Sequence, residues 1–224
     1  KGCDAGDCGA CSVLLDGGTL ATTADMALTR DLVITAAYGT VDVQAGTTLT
    51  PKDITGDGDL KKTGEGTLSL LGAFNATNSY RNTLVEQGTL IGTYNSIRGD
   101  VSNAGTVVFD QATNASFAGN IGTYNGVAGT MVKRGIGELT LTGTSTLDWT
   151  LEDGTLHTES GRFTGDVAIG SSATLYFDET AVSSAYNGRI SGTGALHKTG
   201  NLSFVYNGDG SGFTGLTTVH TGSF

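Results

Sequence analysis

Short segments in which apolar and polar residues alternate run along almost the whole chain. Five of them span residues 67–71, 106–110, 138–142, 174–178 and 202–206, and each contains or soon meets Gly, Asn or Asp. A period of two residues is typical of a strand with one buried face. The best helical candidate, 24–38, is rich in Thr and Val and favours a strand instead. The pattern therefore predicts an all-β protein.

A motif with two halves recurs along these strands. The first half reads Leu-x-Lys-x-Gly-x-Gly-x-Leu-x-Leu, and its copies, the last one shortened, span residues 60–70, 131–141 and 196–204. The second half is a Gly-Thr-Leu signature, whose copies span residues 15–20, 85–90, 151–156 and, in degraded form, 219–224. Its glycines Gly18, Gly88, Gly154 and Gly222 are 70, 66 and 68 residues apart. Self-similarity at a long, nearly constant period indicates units stacked along an axis.

The length of the repeat discriminates among all-β architectures. A propeller blade takes roughly 40–50 residues and a β-helix turn roughly 20–25, so a unit of 66–71 residues corresponds to about three turns. We predict a right-handed parallel β-helix, a solenoid with about three rungs per repeat. We expect one fragment over residues 1–224, with a Cys-containing first rung or cap at 1–20 and repeats at about 21–92, 93–156 and 157–224.

Composition and charge exclude several classes of protein. The net charge is −10, and a nucleic-acid partner is not expected because phosphate binding needs clustered Lys and Arg. The longest apolar runs are about four or five residues, too short to span a membrane. No basic and apolar N-terminus resembles a secretion signal. If the protein is exported, we expect the signal to lie outside this chain.

The three cysteines, Cys3, Cys8 and Cys11, form one local cluster in the sequence. Such a cluster in an otherwise cysteine-free chain fits an exported protein with a small disulfide-closed loop, but an odd count leaves the pairing open. The spacing also resembles the ferredoxin-type [2Fe–2S] loop of molybdenum hydroxylases. That cluster needs a fourth thiolate, which this chain lacks. We therefore predict a candidate disulfide and no cofactor.

The two motif halves, in this order, resemble the passenger-associated repeat of bacterial autotransporters. Residues 60–92 carry the resemblance best, 131–156 nearly as well, and 196–224 in degraded form. The resemblance implies type V secretion, with a β-helical passenger on the cell surface or secreted and a C-terminal outer-membrane barrel absent from this chain. Passengers of the AIDA and antigen 43 type act as adhesins, self-associate or promote biofilm, and the resemblance implies such a role here.

No motif in the chain indicates catalysis. A serine protease passenger would carry Gly-Asp-Ser-Gly, whereas residues 208–212 hold these residue types in another order. His157, His197 and His220 lack the spacing of metal ligands. A glycan-degrading β-helix would need clustered carboxylates on one face, which the sequence does not locate. We predict no enzyme, no catalytic residue and no metal site.

Four Tyr-Asn pairs are candidates for ligand or self-association contacts. Three of the four are followed by Gly, and Asn-Gly is first of all a turn signal. A tyrosine exposed beside such a turn can stack on a sugar or anchor a protein contact. The candidate residues are Tyr94, Asn95, Tyr124, Asn125, Tyr186, Asn187, Tyr206 and Asn207.

Two functions follow from the sequence. The first is a passenger segment that mediates adhesion, self-association or biofilm formation. Its partner would be a host-cell or matrix receptor, protein or glycan, or another copy of the chain. The alternative is a non-catalytic β-helical stalk of a secreted enzyme or toxin, whose active domain lies outside this fragment. A catalytic domain preceding Lys1 would favour the stalk.

Overall fold

A computed structural model of the chain describes residues 12–72, 78–181 and 184–224. Cys3, Cys8 and Cys11, with their candidate disulfide, lie outside the described residues. The described part contains 24 strands and one 3-10 helix, η1 (Ser160–Arg162). None of its helices has the length and apolar character needed to cross a membrane. The prediction of an all-β protein is confirmed.

The strands are short, and most have two to six residues. They are β1 (Val13–Leu15), β2 (Thr19–Thr22), β3 (Met26–Ala27), β4 (Leu32–Ile34), β5 (Tyr38–Val43), β6 (Thr48–Thr50), β7 (Ile54–Gly56), β8 (Asp59–Thr63), β9 (Thr67–Ser69), β10 (Thr83–Val85), β11 (Thr89–Gly92), β12 (Val101–Asn103), β13 (Thr106–Asp110), β14 (Ala115–Phe117), β15 (Ile121–Thr123), β16 (Thr130–Arg134), β17 (Glu138–Leu141), β18 (Asp148–Thr158), β19 (Val167–Asp178), β20 (Ala185–Tyr186), β21 (Ile190–Gly192), β22 (Ala195–Thr199), β23 (Val205–Tyr206) and β24 (Leu216–Val219).

The strands pair in parallel with the equivalent strand of the next turn. The sequence separation between register partners ranges from 17 residues, for Thr89 and Thr106, to 24 residues, for Thr106 and Thr130. In the first turns three successive strands belong to three different sheets. Strands β1, β2 and β3 are the first example, and β4, β5 and β6 join the same three sheets in the same order. The result is a parallel β-solenoid of about ten turns, which confirms the predicted fold class. Its right-handedness and its division into a cap and three repeats remain predictions.

Strands β18 and β19 are long because each runs through a corner of the solenoid. The first half of β18 pairs with β16 and its second half with β17. On its other side β18 pairs with β19, with a register shift between Leu151 and Asp153. In the same way β19 pairs first with β21 and then with β22. These two strands merge two sides of the coil into one 13-stranded sheet, beside a six-stranded sheet on another side.

Stacked apolar side chains form the core along the axis. Every turn places one inward residue directly above the equivalent residue of the turn before, so the same column is filled again and again. The longest column is fully buried and consists of Leu49, Leu68, Leu90, Val107, Met131, Trp149, Val167 and Ile190. Continuity of this column keeps successive turns in register, because a shift by one residue would turn its members outward.

A buried lysine joins the two halves of the recurring motif. Lys62 is 0% exposed, and its Nζ donates hydrogen bonds to the carbonyls of Thr63, Gly64 and Gln87 at 2.6, 2.6 and 3.2 Å. The first two carbonyls belong to the turn after β8, and the third precedes Gly88 in the next turn of the coil. One ammonium group therefore binds two successive turns, which explains why the second motif half follows the first in the next turn of the coil.

The same arrangement recurs in the other two copies of the motif. Lys133 donates to Arg134, Gly135 and Asp153, and the Asp153 carbonyl again lies in the following turn of the coil. Lys198 donates to Gly200, Leu202 and Thr221. Burial lowers the pKa of Lys62 and of Lys133 to about 8. Three short bonds to carbonyl oxygens offset this cost of desolvating a charge. We call the three lysines the lysine clasps.

The glycine of the second motif half lies directly on the clasped turn. Gly88 has a φ of 68°, and a Cβ there would approach the Gly64 and Gly66 carbonyl oxygens to 2.4 and 2.5 Å. Gly154 has the same relation to Gly135 and Gly137. Both the left-handed backbone and the close approach exclude a side chain. In these two copies, the glycine of the Gly-Thr-Leu signature is therefore a requirement of turn stacking.

Side-chain oxygens of Asp and Asn support the corners from one turn to the next. The Asp100 Oδ1 accepts the backbone N–H of Asn120 at 2.8 Å, and the Asp166 Oδ1 accepts that of Arg189 at 2.8 Å. The two bonds occupy equivalent places in two copies of the repeat. A corner residue has no ladder partner for its N–H, so such a bond satisfies a donor that would otherwise be left unpaired.

Replacing Gly88 by alanine should destabilise the solenoid more than the same change at Gly126. Both glycines have positive φ, but a Cβ at Gly126 would meet nothing within 4 Å. We expect a loss of about 3 kcal/mol for Gly88→Ala, from backbone strain and overlap, against about 1 kcal/mol for Gly126→Ala from backbone strain alone. Urea denaturation followed by circular dichroism measures both. Equal losses would show that the contact with the clasped turn is unimportant.

Replacing Lys133 by methionine tests the lysine clasp. Methionine keeps the length and apolar stem but removes the ammonium donor from three carbonyls, of which that of Arg134 keeps a backbone N–H, from Gln111 at 2.8 Å. We therefore expect a loss of about 3 kcal/mol in the free energy of unfolding. The control is Lys52→Met, since Lys52 forms a partly exposed ion pair with Asp31 at 3.0 Å. Such a pair contributes about 0–1 kcal/mol. Comparable denaturation midpoints for the two variants would contradict the clasp.

Candidate functional site

Two clefts lie side by side where β14 and β17 run next to each other. Ser116 and Phe117 of β14 line the first cleft, of about 530 Å³. Their register partners, Thr140 and Leu141 of β17, line the second cleft, of about 200 Å³. The clefts are therefore consecutive parts of one surface along the axis. We name it the corner groove.

The first cleft contains the predicted pair Tyr94 and Asn95. A tight turn positions them, because the Thr93 carbonyl accepts the N–H groups of Ser96 and Ile97 at 3.1 and 3.0 Å. The Thr93 N–H in turn donates to the Ser96 Oγ at 2.8 Å. Tyr94 is half-buried against the core, whereas Asn95 is exposed. The cleft thus has an aromatic side chain and a free amide at its edge.

Arg98 lies at the rim of the first cleft with its backbone held from below. Its N–H lies 3.2 Å from the hydroxyl of Tyr80 and 3.3 Å from that of Thr83, and its carbonyl accepts the Thr83 hydroxyl at 2.8 Å. Tyr80 is buried, and burial raises its pKa to about 12. A neutral, fixed hydroxyl therefore anchors Arg98, while the guanidinium side chain is exposed.

The charged side chains of the second cleft are paired with each other. The Arg162 Nε lies 2.9 Å from the Glu159 Oε2, and its Nη1 donates to the Thr142 carbonyl at 3.1 Å. The His157 ring lies between two carboxylates, with Nδ1 at 3.2 Å from Glu138 and Nε2 at 3.7 Å from Asp178. These carboxylates belong to strands on either side of the His157 strand. The second cleft is polar, and its charges have partners.

A ladder of rings leads away from the second cleft towards the last turn. His157, Tyr176 and His197 are register partners, with ring centroids 4.8 and 5.8 Å apart, and His220 follows 5.1 Å from His197. Burial, and then the neighbouring His220, lower the pKa of His197. Sequence analysis did not bring these residues together. The sequence does contain a signal for this ladder, because His157, Tyr176 and His197 each directly follow a buried leucine of the repeat.

The ladder is not a metal centre in this arrangement. Across residues 12–72, 78–181 and 184–224, no three His, Cys, Asp or Glu side chains are grouped so that they could hold a metal ion. The imidazoles contact each other ring to ring along the axis, whereas metal ligands converge on one point. What the ladder offers is a strip of half-exposed rings on one outer side of the coil.

The asparagines of all four Tyr-Asn pairs are exposed, but their tyrosines differ. Tyr124 and Val127 exchange backbone hydrogen bonds at 3.0 and 2.9 Å around Asn125 and Gly126. The central φ values of 51° and 80° are those of a type I′ hairpin turn. The Lys61 Nζ lies 5.9 Å from the centre of the Tyr124 ring. This pair forms a small hairpin away from the corner groove.

Tyr186 and Tyr206 are stacked on each other, with ring centroids 5.9 Å apart. The Tyr186 ring is buried and its hydroxyl donates to the Gly165 carbonyl, while the Tyr206 hydroxyl accepts the Ile190 N–H at 3.1 Å. Burial raises the pKa of both tyrosines. Of the four pairs, Tyr94 and Asn95 alone line the first cleft, and Asn187 and Asn207 lie exposed elsewhere. A contact role for these eight residues stays a prediction.

The fold and its surface define a class of protein: an extended parallel β-solenoid with a polar, grooved exterior. Comparison with known proteins gives one significant match to a curated protein. Over 132 residues the chain is 38% identical to the Adhesin BmaC autotransporter of Brucella suis biovar 1 (strain 1330). The match covers 52% of this chain and 4% of that much longer protein. No family profile and no solved structure matches the chain significantly.

The match and the solenoid together fit a cell-surface or secreted autotransporter passenger domain. The resemblance that the recurring motif predicted is confirmed at that level. The particular likeness to passengers of the AIDA and antigen 43 type stays a prediction. Because the chain spans so small a part of the relative, the activity and partners of a whole protein of this kind are matters for proposal.

Replacing His220 by glutamine should raise the pKa of His197. The change removes the neighbouring imidazole that disfavours the charged form of His197, whereas the larger effect of burial remains. The pKa of His197 should therefore rise but stay below its ordinary value. Titration of the imidazole Cε1–H signals by NMR measures it, with His157→Gln as the control at the far end of the ladder. An unchanged His197 pKa in His220→Gln would contradict the ladder geometry.

Proposed function

We propose that this chain is a passenger segment that mediates adhesion from a bacterial surface, or after secretion. The observation that carries the proposal is the combination of a parallel β-solenoid with similarity to a protein named as an adhesin. A solenoid projects its outer side chains at fixed intervals along a rod. Several weak contacts to one partner can therefore add up by avidity.

The corner groove supports binding as the task of this surface. Its first cleft combines an aromatic ring, an exposed amide and an exposed arginine, whereas the inward positions are apolar and buried. Polar groups that converge in a concave place are typical of recognition sites. The partner we propose is a host-cell or matrix receptor, protein or glycan, and a second copy of the chain is the further option.

A non-catalytic stalk is the second candidate function. It is favoured by the lysine clasps and the continuous core column, since both stiffen the coil along its axis. A stalk would hold an active domain away from the membrane without binding anything itself. The two functions differ in whether this chain recognises a partner.

Displaying the chain on a non-adherent laboratory bacterium tests the proposal. We expect cells that carry it to attach to host-cell monolayers or matrix-coated surfaces, or to settle faster by aggregation, several-fold more than cells with the anchor alone. Antibody staining matches the display levels. Sedimentation of the purified chain across concentration, with and without reductant, separates self-association from receptor binding. Neither attachment nor aggregation at equal display would favour the stalk.

A further inference from the structure

Three of the six arginines lie along the same corner of the solenoid, and one of them differs from the other two. The Arg81 Nε and Nη2 are held by Asp59 at 2.8 and 3.0 Å, and the Arg162 Nε is held by Glu159 at 2.9 Å. In the described part of the chain, the Arg98 guanidinium has neither an ion pair nor a hydrogen bond. Yet Arg98 is the arginine that lines the larger of the two clefts.

The backbone of Arg98 is anchored beside the cleft. The hydroxyls of Tyr80 and Thr83 anchor the Arg98 backbone, as described above. The next residue, Gly99, has a φ of 60°, and a Cβ there would come within 1.9 Å of the Arg81 carbonyl oxygen. A Cβ at Gly119 would come within 2.0 Å of the Gly99 oxygen. Gly99 and Gly119 therefore line the cleft where backbones pass close together, and the hydrogen-bonded backbone of Arg98 lies beside them.

The free guanidinium determines what charge the ligand carries. Arginine presents a planar fork of donors that matches a carboxylate, and such pairs are the strong hydrogen bonds of recognition sites. The chain as a whole carries a net charge of −10. This field repels a densely charged polyanion much more strongly than a ligand with one carboxylate at the cleft. A single carboxylate per site is the better match.

The other groups in the cleft determine what the carboxylate is attached to. Tyr94 offers the side of a half-buried ring to an apolar face, and Asn95 offers an exposed amide. The Asp100 Oδ1 accepts two hydrogen bonds from Asn120, which leaves its Oδ2 as an acceptor for a hydroxyl. An aromatic ring beside amide and carboxylate groups suits a ring rich in hydroxyls.

We propose that the first cleft binds a carboxylate-bearing sugar unit of a glycan. Arg98 holds the carboxylate, Tyr94 contacts the sugar ring, and Asn95 and Asp100 bind hydroxyl groups. The inference deepens the adhesive function proposed above, on which it rests, by naming the chemical class of its partner. Terminal sialic acids and internal uronic acids share this chemistry.

Calorimetric titration of the 224-residue chain tests the site. The probes are sialyllactose and a hyaluronan oligosaccharide, each with its neutral counterpart, lactose and the carboxyl-reduced oligosaccharide. We expect at least one acidic probe to bind at least about tenfold more tightly than its neutral form, because a charge-assisted bidentate pair is lost. Which acidic probe binds identifies the source of the carboxylate. Failure of both acidic probes to bind would overturn the proposal.

Two arginine variants make the test specific. Arg98→Ala should weaken binding about tenfold or more, and Arg98→Lys should recover only part of it, because a lysine cannot form the bidentate pair. Arg30→Ala is the matched control, with the same loss of charge in an early turn and outside the cleft. Thermal denaturation of each variant confirms that the fold is retained. Equal weakening by Arg98→Ala and Arg30→Ala would overturn the site.

A peptide probe and the display experiment separate the remaining outcomes. Binding of a glutamate-rich peptide as tightly as the acidic sugar would overturn the glycan assignment, since it would need only the charge. Displayed chain that attaches to cells, while the purified chain binds neither acidic sugar, would overturn this site and leave the adhesive function standing. If the purified chain binds an acidic sugar but the displayed chain causes neither attachment nor aggregation, the site stands and the adhesive function is overturned.

Discussion

The buried lysine ammonium is the interaction on which the turn geometry of this solenoid depends. At a corner of the coil, carbonyl groups leave the strand ladder and point inward towards the buried ammonium, which supplies them with a hydrogen-bond donor. A cation with three donors satisfies three such oxygens at once, from two successive turns. Lys62, Lys133 and Lys198 do this at three heights along the axis. Each fixes the distance between a first motif half and the second half that follows it.

The lysine clasps also explain why the glycines recur with them. Once the carbonyls of one turn face the ammonium, the backbone of the next turn must pass directly over them, and only a residue without a Cβ fits. Gly88 and Gly154 therefore accompany Lys62 and Lys133 in the sequence. The motif is a unit of turn stacking in which a charge, a left-handed glycine and an inward leucine depend on one another.

Much of the fold could be predicted from the sequence, because alternation and the repeat both reflect the stacked core. Leu68 and Leu139 mark inward positions by period two alone. The burial of Lys62 could not be predicted in that way, since hydrophobicity places lysine outside. Only strand alternation at the adjacent residues Lys61 and Lys62 indicates it, because one of the two must face inward. Lys61 faces outward, where it pairs with Glu86 at 2.6 Å. The role of that inward lysine depends on the Gln87 carbonyl 25 residues away, which local sequence does not specify.

The candidate site was harder to predict from the sequence than the fold, because its side chains are distinguished by the hydrogen bonds and ion pairs that they do not form. Tyr94 and Tyr186 occur in the same Tyr-Asn pattern, yet one lines a cleft and the other is buried with its hydroxyl bonded. Arg98 carries no motif, and what distinguishes it from Arg81 is that its guanidinium forms no ion pair among the described residues. The histidine ladder is the exception. His157 and His197 each follow a repeat leucine, so the register of the repeat was enough to place them in one column.

Inward and outward positions of the solenoid differ in how strongly the fold constrains them, and this affects what similarity between the chain and its relative can indicate. Inward residues, the lysine clasps and the stacking glycines are constrained by every neighbouring turn, so similarity between two such solenoids concentrates there. Outward residues such as Tyr94 and Arg98 contact no other turn through their polar ends and can change without disturbing the core. Similarity to an adhesin therefore speaks for the scaffold and its display. The ligand must be inferred from the outward residues of this chain itself.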